Sequence, residues 1–201
     1  MKTLFLFVFL FQGVSAEAKN LHVLDSSPSG YKVVRTGKPD LNDFREICKL
    51  GVRKLIVLSG NGSVEEAWAK TECPGFEVIY NRKQSTAVPL AKDFLDFFDQ
   101  QVSLAKAGGY GLAFRCNCGC HRTGRLAAYF HLKYQGYTAD EALKDQRKNA
   151  PFPATLLHRP VLKHQINALD QYVHNEPCTE KSKYCVIDHD SSPEENETIL
   201  P

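Results

Sequence analysis

At 201 residues the chain is long enough for one domain with a full core, and 43% hydrophobic against 24% charged residues is the balance of a soluble globular protein. A formal net charge of +2 is too small to imply nucleic-acid binding by itself. The C-terminal end is acidic, so the body is more basic than the sum suggests.

Lys2, the apolar run Leu4 to Phe11 and the small-residue site Val14-Ser15-Ala16 have the order of a signal peptide rather than of a buried N-terminal strand. The run is too short to span a bilayer, and no other stretch is apolar enough to do so. Residues 1–16 are therefore expected to be removed. The mature chain would be exported, periplasmic or secreted, with no stable membrane association.

Residues 17–30 read as a polar entry segment, and Tyr31 to Arg35 alternates like a short strand. Asp40 caps a helix with Phe44, Ile47, Cys48 and Leu50 on its apolar face, which Gly51 ends. Val52 to Leu58 is a strand apolar enough to be central. Ser63-Val64-Glu65-Glu66 reads as a capping box opening a short helix, with Trp68 as a core residue. Phe76 to Tyr80 is the next strand. A longer helix runs from Pro89 to Lys106, with Phe94, Leu95, Phe97 and Phe98 on one face and Gly108-Gly109 closing it. Tyr110 to Phe114 is strand-like, and a helix follows from Leu126 to Gln135-Gly136. Thr138 to Glu141 is another capping box, Pro151 and Pro153 break its helix, and a last helix carries Val161, Leu162, Ile166, Leu169 and Tyr172. Alternating strands and helices predict an α/β fold, a central largely parallel sheet flanked by helices. Residues 178–201 form a tail, expected to be disordered from Val186 onward.

The chemistry gathers at Arg115-Cys116-Asn117-Cys118-Gly119-Cys120-His121-Arg122-Thr123-Gly124, between the strand and helix just named. A helix N-terminus has unpaired amides and partial positive charge, so it binds phosphate and lowers the pKa of a nearby thiol. Cys116 would be a nucleophilic thiolate beside the bound phosphoryl group. Arg122 would clamp two phosphate oxygens and the charge of the transition state. Gly119 lets the loop amides turn inward. Thr123 would steady the sulfur.

The spacing Cys116-x-x-Gly119-x-x-Arg122-Thr123-Gly124 resembles the signature of the cysteine-dependent tyrosine-phosphatase superfamily. The resemblance covers roughly Tyr31 to Tyr172, within a domain spanning 17–177, and is specific at this loop. It implies a tyrosine-phosphatase or dual-specificity-phosphatase fold, attack of Cys116 on phosphorus, a cysteinyl-phosphate intermediate and its hydrolysis by water, without a cofactor. The run Tyr31 to Pro39 resembles a Tyr…Arg-Ser-Gly-x-Pro segment found in atypical members of the superfamily. The family usually has His before the cysteine, where this chain has Arg115.

The family's general acid is an Asp on the loop before the helix that precedes the cysteine strand. Here that loop, Asn81 to Pro89, holds no Asp or Glu; Lys83 and Gln84 stand near the expected place. General-acid help is worth about 100- to 10,000-fold. Three alternatives follow: an acid from elsewhere, such as Asp145 or Glu141; a substrate whose neighbouring phosphate gives the proton; or a chain that binds without turnover. The second is preferred, because Arg82, Lys83, Arg115, His121 and Arg125 would surround an anion with several phosphates. Together with the loop residues Asn117, Cys118, Gly119 and Cys120 they are the candidate phosphate contacts. An exported single domain with this loop most resembles the tyrosine-phosphatase-like phytases, so the expected substrate is a small-molecule inositol polyphosphate. A dual-specificity or tyrosine protein phosphatase and a phosphate-binding module are the other readings.

Cys116, Cys118, Cys120 and His121 also offer metal-ligand chemistry. Zinc sites normally draw two ligands from one turn and two from elsewhere, and no second pair is nearby, so no metal is expected. Seven cysteines in an exported chain leave at least one thiol unpaired within it. Cys178 and Cys185 are the first candidate pair, and Cys118 or Cys120 would be able to trap Cys116 under oxidation. His131, His158, His164 and His174 read as packing or surface groups.

Overall fold

The computed structural model describes residues 20–149 and 159–189; the expected signal peptide, the helix break expected at Pro151 and Pro153, His158 and the rest of the tail lie outside them. Its elements in chain order are β1 (His22–Ser26), β2 (Lys32–Thr36), α1 (Leu41–Lys49), β3 (Val52–Val57), α2 (Ser63–Glu72), β4 (Glu77–Asn81), α3 (Lys92–Gly108), β5 (Gly111–Arg115), α4 (Arg122–Gln135), α5 (Ala139–Lys148) and α6 (Arg159–Val173). They make a five-stranded sheet of order β1-β2-β5-β3-β4, parallel throughout except for β1, which is antiparallel to β2.

β5 is the middle strand and all five of its residues are buried. Its side chains alternate between two layers, as the two-residue period of a strand requires. Leu112 and Phe114 face α3, α4, α5 and α6, where Phe98, Leu126, Phe130, Leu143 and Ile166 fill the larger core. Ala113 faces α1 and α2, where Phe44, Ile47 and Phe76 fill the smaller one. Phe98 is the hub of the larger layer, edge-on to Phe114, Tyr129 and Phe130 with centroids 5.7, 6.2 and 6.5 Å away. Trp68 packs beside Phe44 at 5.7 Å, a core role.

Local chemistry sets several boundaries as the sequence predicts. Asp40 and Asp43 close a capping box on α1, and Thr138 and Glu141 one on α5. Gly109 and Gly136 end α3 and α4 in the left-handed region. Three expectations change. β1 lies in the stretch read as a polar entry; it pairs on one side only, and a register shift between Val23 and Asp25 breaks the alternation that marks a strand. The Ser63 capping box does not form, because Gly62 is the cap and Ser63 is already the first helical residue; Glu65 turns into the interior. Among the described tail residues, those from Val186 to His189 were expected to be disordered but are placed: Cys178 pairs with Cys185, a 3-10 turn spans Ser182–Tyr184, and the Ile187 carbonyl accepts from the Lys92 amide at 2.7 Å.

Candidate active site

The parallel strands β2, β5 and β3 all end on the same side, where ligands of open α/β sheets bind. The central strand runs straight into residues 116–121 and then into the first turn of α4, so a helix N-terminus points at the loop's concave side.

The loop is held from behind by its carbonyls. The Asn117 oxygen accepts from the Lys38 amide at 3.0 Å. The Gly119 oxygen accepts from Arg35 Nη2 at 2.7 Å and from Asn20 Nδ2 at 3.0 Å. The Cys120 oxygen accepts from Gln146 Nε2 at 3.3 Å and from the Gly124 amide at 3.0 Å. In a planar trans peptide the N–H opposes the C=O, so these contacts turn the following amides to the inner side. Gly119 sits at φ +69°, and a Cβ there would come within 2.8 Å of the Gly37 nitrogen. Only glycine fits that close approach.

Cys116 lies at the base of the cradle, 1% exposed, and is the one unpaired cysteine among the described residues. Burial pushes its thiol up, but the hydroxyl and amide of Thr123, the charge of Arg122 and the Gly119 amide outweigh it and hold the thiol below its ordinary value. Arg122 opens α4, with Nη1 on the Leu58 carbonyl at 2.9 Å and the Gln84 carbonyl at 3.5 Å. Cys116, Arg122 and Thr123 are therefore brought together. Asn117 is exposed at the loop's rim, its Oδ1 accepting from Asn61 Nδ2 at 3.0 Å. His121 lines a cleft with Arg122, Thr86 and Gln165.

Two expected phosphate contacts are corrected. Arg115 does not face the cleft. It is fully buried, ion-paired with the equally buried Glu65, and it donates to Ser59 Oγ at 2.8 Å, Asn61 Oδ1 at 2.7 Å and the Asn61 carbonyl at 3.0 Å. It fastens the end of β5 to the β3–α2 connection. Burial pushes the Glu65 carboxyl up against the pull of Arg115, and pulls the Arg115 guanidinium down against the pull of Glu65. Arg125 is 2% exposed and donates to the Val88 and Ser85 carbonyls, so it anchors the 82–89 loop and reaches only the cleft wall. A buried charge must have partners, and both arginines spend their Nη groups on them.

Arg82 and Lys83 are exposed on the loop beside the site, with Lys83 bridged to Ser59. Gln84 is buried, its amide on the Leu58 carbonyl at 3.1 Å and its Nε2 on the Tyr80 hydroxyl at 3.3 Å. Neither proposed substitute acid is placed for proton donation. Glu141 caps Thr138, which holds its carboxyl low. Asp145 lies behind the loop with His131 at 3.2 Å and Arg35 at 3.8 Å, and these partners outweigh its burial to keep it ionised. Cys118 and Cys120 pair with each other, so neither traps Cys116 here; Cys48–Cys73 and Cys178–Cys185 are the other pairs. Among the described residues no three His, Cys, Asp or Glu side chains gather as metal ligands, and no helix is long and apolar enough to cross a membrane.

Sequence reading missed the supports. Arg35 is fully buried, and burial pulls its guanidinium down to about 10. Its place directly after the apolar pair Val33-Val34 in a strand-like run was the available signal. Gln146 carries no motif, and Glu65 stood inside an expected capping box; only the fold brings them to the loop and to Arg115.

No family model matches the chain. Solved structures do. P. aeruginosa TpbA in complex with pTyr matches with 15% identity and a TM-score of 0.57, over 71% of this chain and 86% of that one. The catalytic domain of the PP-IP phosphatase SIW14 from S. cerevisiae, in complex with citrate, matches with 18% identity and a TM-score of 0.55, over 72% and 83%. PTPMT1 in complex with PI(5)P matches with 19% identity and a TM-score of 0.51, over 74% and 97%. The fold is that of tyrosine- and dual-specificity-type phosphatases.

Proposed function

We propose that this chain, which shares the fold of those phosphatases, is a cysteine-dependent phosphomonoester hydrolase acting on small inositol polyphosphates such as phytate. The observation that carries the reading is Cys116: a buried free thiol, held low by Thr123 and Arg122, under a cradle of inward amides. Its sulfur attacks phosphorus, the bond to the leaving oxygen breaks, and water later cleaves the cysteinyl-phosphate. Arg122 and the amides stabilise the charge on the transferred group.

The substrate class rests on the loop that lacks an acid. With Asp145 and Glu141 engaged elsewhere, a second phosphate on the substrate supplies the proton, and exposed Arg82 and Lys83 bind the remaining charge. That SIW14 is a PP-IP phosphatase and that PTPMT1 binds PI(5)P support a phosphoinositol-type substrate. We further propose that the protein is exported. Three cysteine pairs among seven cysteines support an oxidising compartment.

The test is phosphate release by the reduced protein, with chelator, from inositol hexakisphosphate, a phosphotyrosine peptide and a small aryl phosphate, each against Cys116→Ser. Release mainly from the inositol substrate, abolished in the variant, is expected. Release mainly from the peptide would move the protein to protein dephosphorylation. No release from any would make it a phosphate-binding module.

A further inference from the structure

Cys118 and Cys120 flank Gly119 inside the cradle itself, and their sulfurs face each other. The pair is not neutral toward phosphate. The Gly119 carbonyl is drawn outward by Arg35, so the Cys120 amide points inward, where it donates to Cys118 Sγ at 3.1 Å. One of the donors that would meet a phosphate oxygen is thereby spent on sulfur. The carbonyls on either side are held by Lys38, Asn20 and Gln146, so the loop keeps its course whether or not the sulfurs are joined. Cys118 is half-buried while Cys120 and Cys116 are buried, which makes Cys118 the sulfur open to an incoming thiolate.

We propose that Cys118 and Cys120 are a reversible dithiol–disulfide site, taking low-molecular-weight thiols as its reactant, that sets the phosphate affinity of the cradle. A small thiolate attacks Cys118 Sγ, the Cys118–Cys120 bond breaks, and the Cys120 sulfur leaves as thiolate and takes a proton. A second small thiolate attacks the mixed disulfide and releases Cys118, which takes a proton, together with the oxidised small disulfide. Two electrons pass from two small thiols to the pair. With Cys118 free to rotate away, the Cys120 amide is returned to the anion. A hydrogen bond to a charged group is worth enough to tighten inorganic phosphate by about tenfold. Joined to each other, the two sulfurs also leave Cys116 alone. The inference deepens the proposed function, since it concerns the same cradle.

Trypsin cuts after Arg115 and Arg122, so all three cysteines fall in one peptide, 116–122. Native protein would be alkylated before and after treatment with a small thiol, and the labels placed by fragment mass. In parallel, inorganic phosphate would be titrated as a protectant of Cys116 against alkylation, which reads cradle affinity without turnover. The expected result is one label, on Cys116, before reduction and three after it, with the protection constant falling about tenfold. The response should vanish in the Cys118→Ser, Cys120→Ser double variant, whose other two pairs are intact. A label on Cys118 or Cys120 before reduction, or a protection constant indifferent to reduction, overturns the proposal. Failure to hydrolyse any phosphate ester would count against the proposed function but leave the protection assay readable.

Discussion

The residue before the nucleophile shows how one side chain reshapes its surroundings. Arg115 brings a guanidinium into a site where both it and its partner Glu65 are fully buried. Removing one member of such a pair leaves a bare charge, whereas removing both together is far milder. Arg115→Met is therefore expected to cost about 3–5 kcal/mol in denaturant unfolding, and Arg115→Met with Glu65→Gln to recover most of it. If the double variant is no better than the single one, the pair is not the reason. Lys83, exposed on the neighbouring loop, belongs to recognition: Lys83→Ala should slow a polyphosphate substrate more than an aryl phosphate, and equal losses would remove it from binding. Cys116, Arg122 and Thr123 were legible because their spacing is itself the chemistry. Arg115 was misread because an arginine beside a phosphate loop has the same letter whether it faces the anion or a buried carboxylate.

Among the elements, the strand-to-helix passage from β5 to α4 depends on neighbours that do not touch the substrate. Arg35 on β2 joins the Gly119 carbonyl to Asp145 on α5, Asp145 meets His131 on α4, and Gln135 beyond it donates to the Leu24 carbonyl of β1 at 2.7 Å. Asp145 has a carboxyl held below its ordinary range, so its contribution to stability is complete above its unfolded value of about 3.9 and is lost as pH falls through the lower folded value. Asp145→Asn should flatten the acid limb of unfolding measured between about pH 2 and pH 5. Gly119→Ala should weaken orthovanadate binding and destabilise the fold by about 1–3 kcal/mol, since the backbone at φ +69° resists a side chain and the Gly37 nitrogen blocks it. The helices and β2 to β5 could be read from period and caps. β1 could not, because an edge strand with a register shift shows no alternation, and the Ser63-to-Glu66 spacing looked like a capping box because it does not reveal that the helix is capped one residue earlier, at Gly62.

For the whole molecule, the C-terminal segment closes the structure. Ile187 exchanges backbone hydrogen bonds with Leu90 and Lys92, where the loop beside the active site becomes α3, and the Cys178–Cys185 link shortens the path to it. Replacing both cysteines by alanine should lower stability by about 2–3 kcal/mol. It should also raise hydrogen exchange at the Lys92 and Ile187 amides; unchanged exchange would show that the segment holds without the link. Composition marked this stretch as polar tail, and only the two cysteines hinted at its order.

The carbonyls of the cradle are engaged from outside before any anion arrives. Docking then demands little rearrangement, and calorimetry of orthovanadate with the reduced protein should show a heat-capacity change near zero, because hardly any apolar surface is withdrawn from water. The on-rate should follow ionic strength, as for a collision guided by charge, with no slow phase belonging to loop closure.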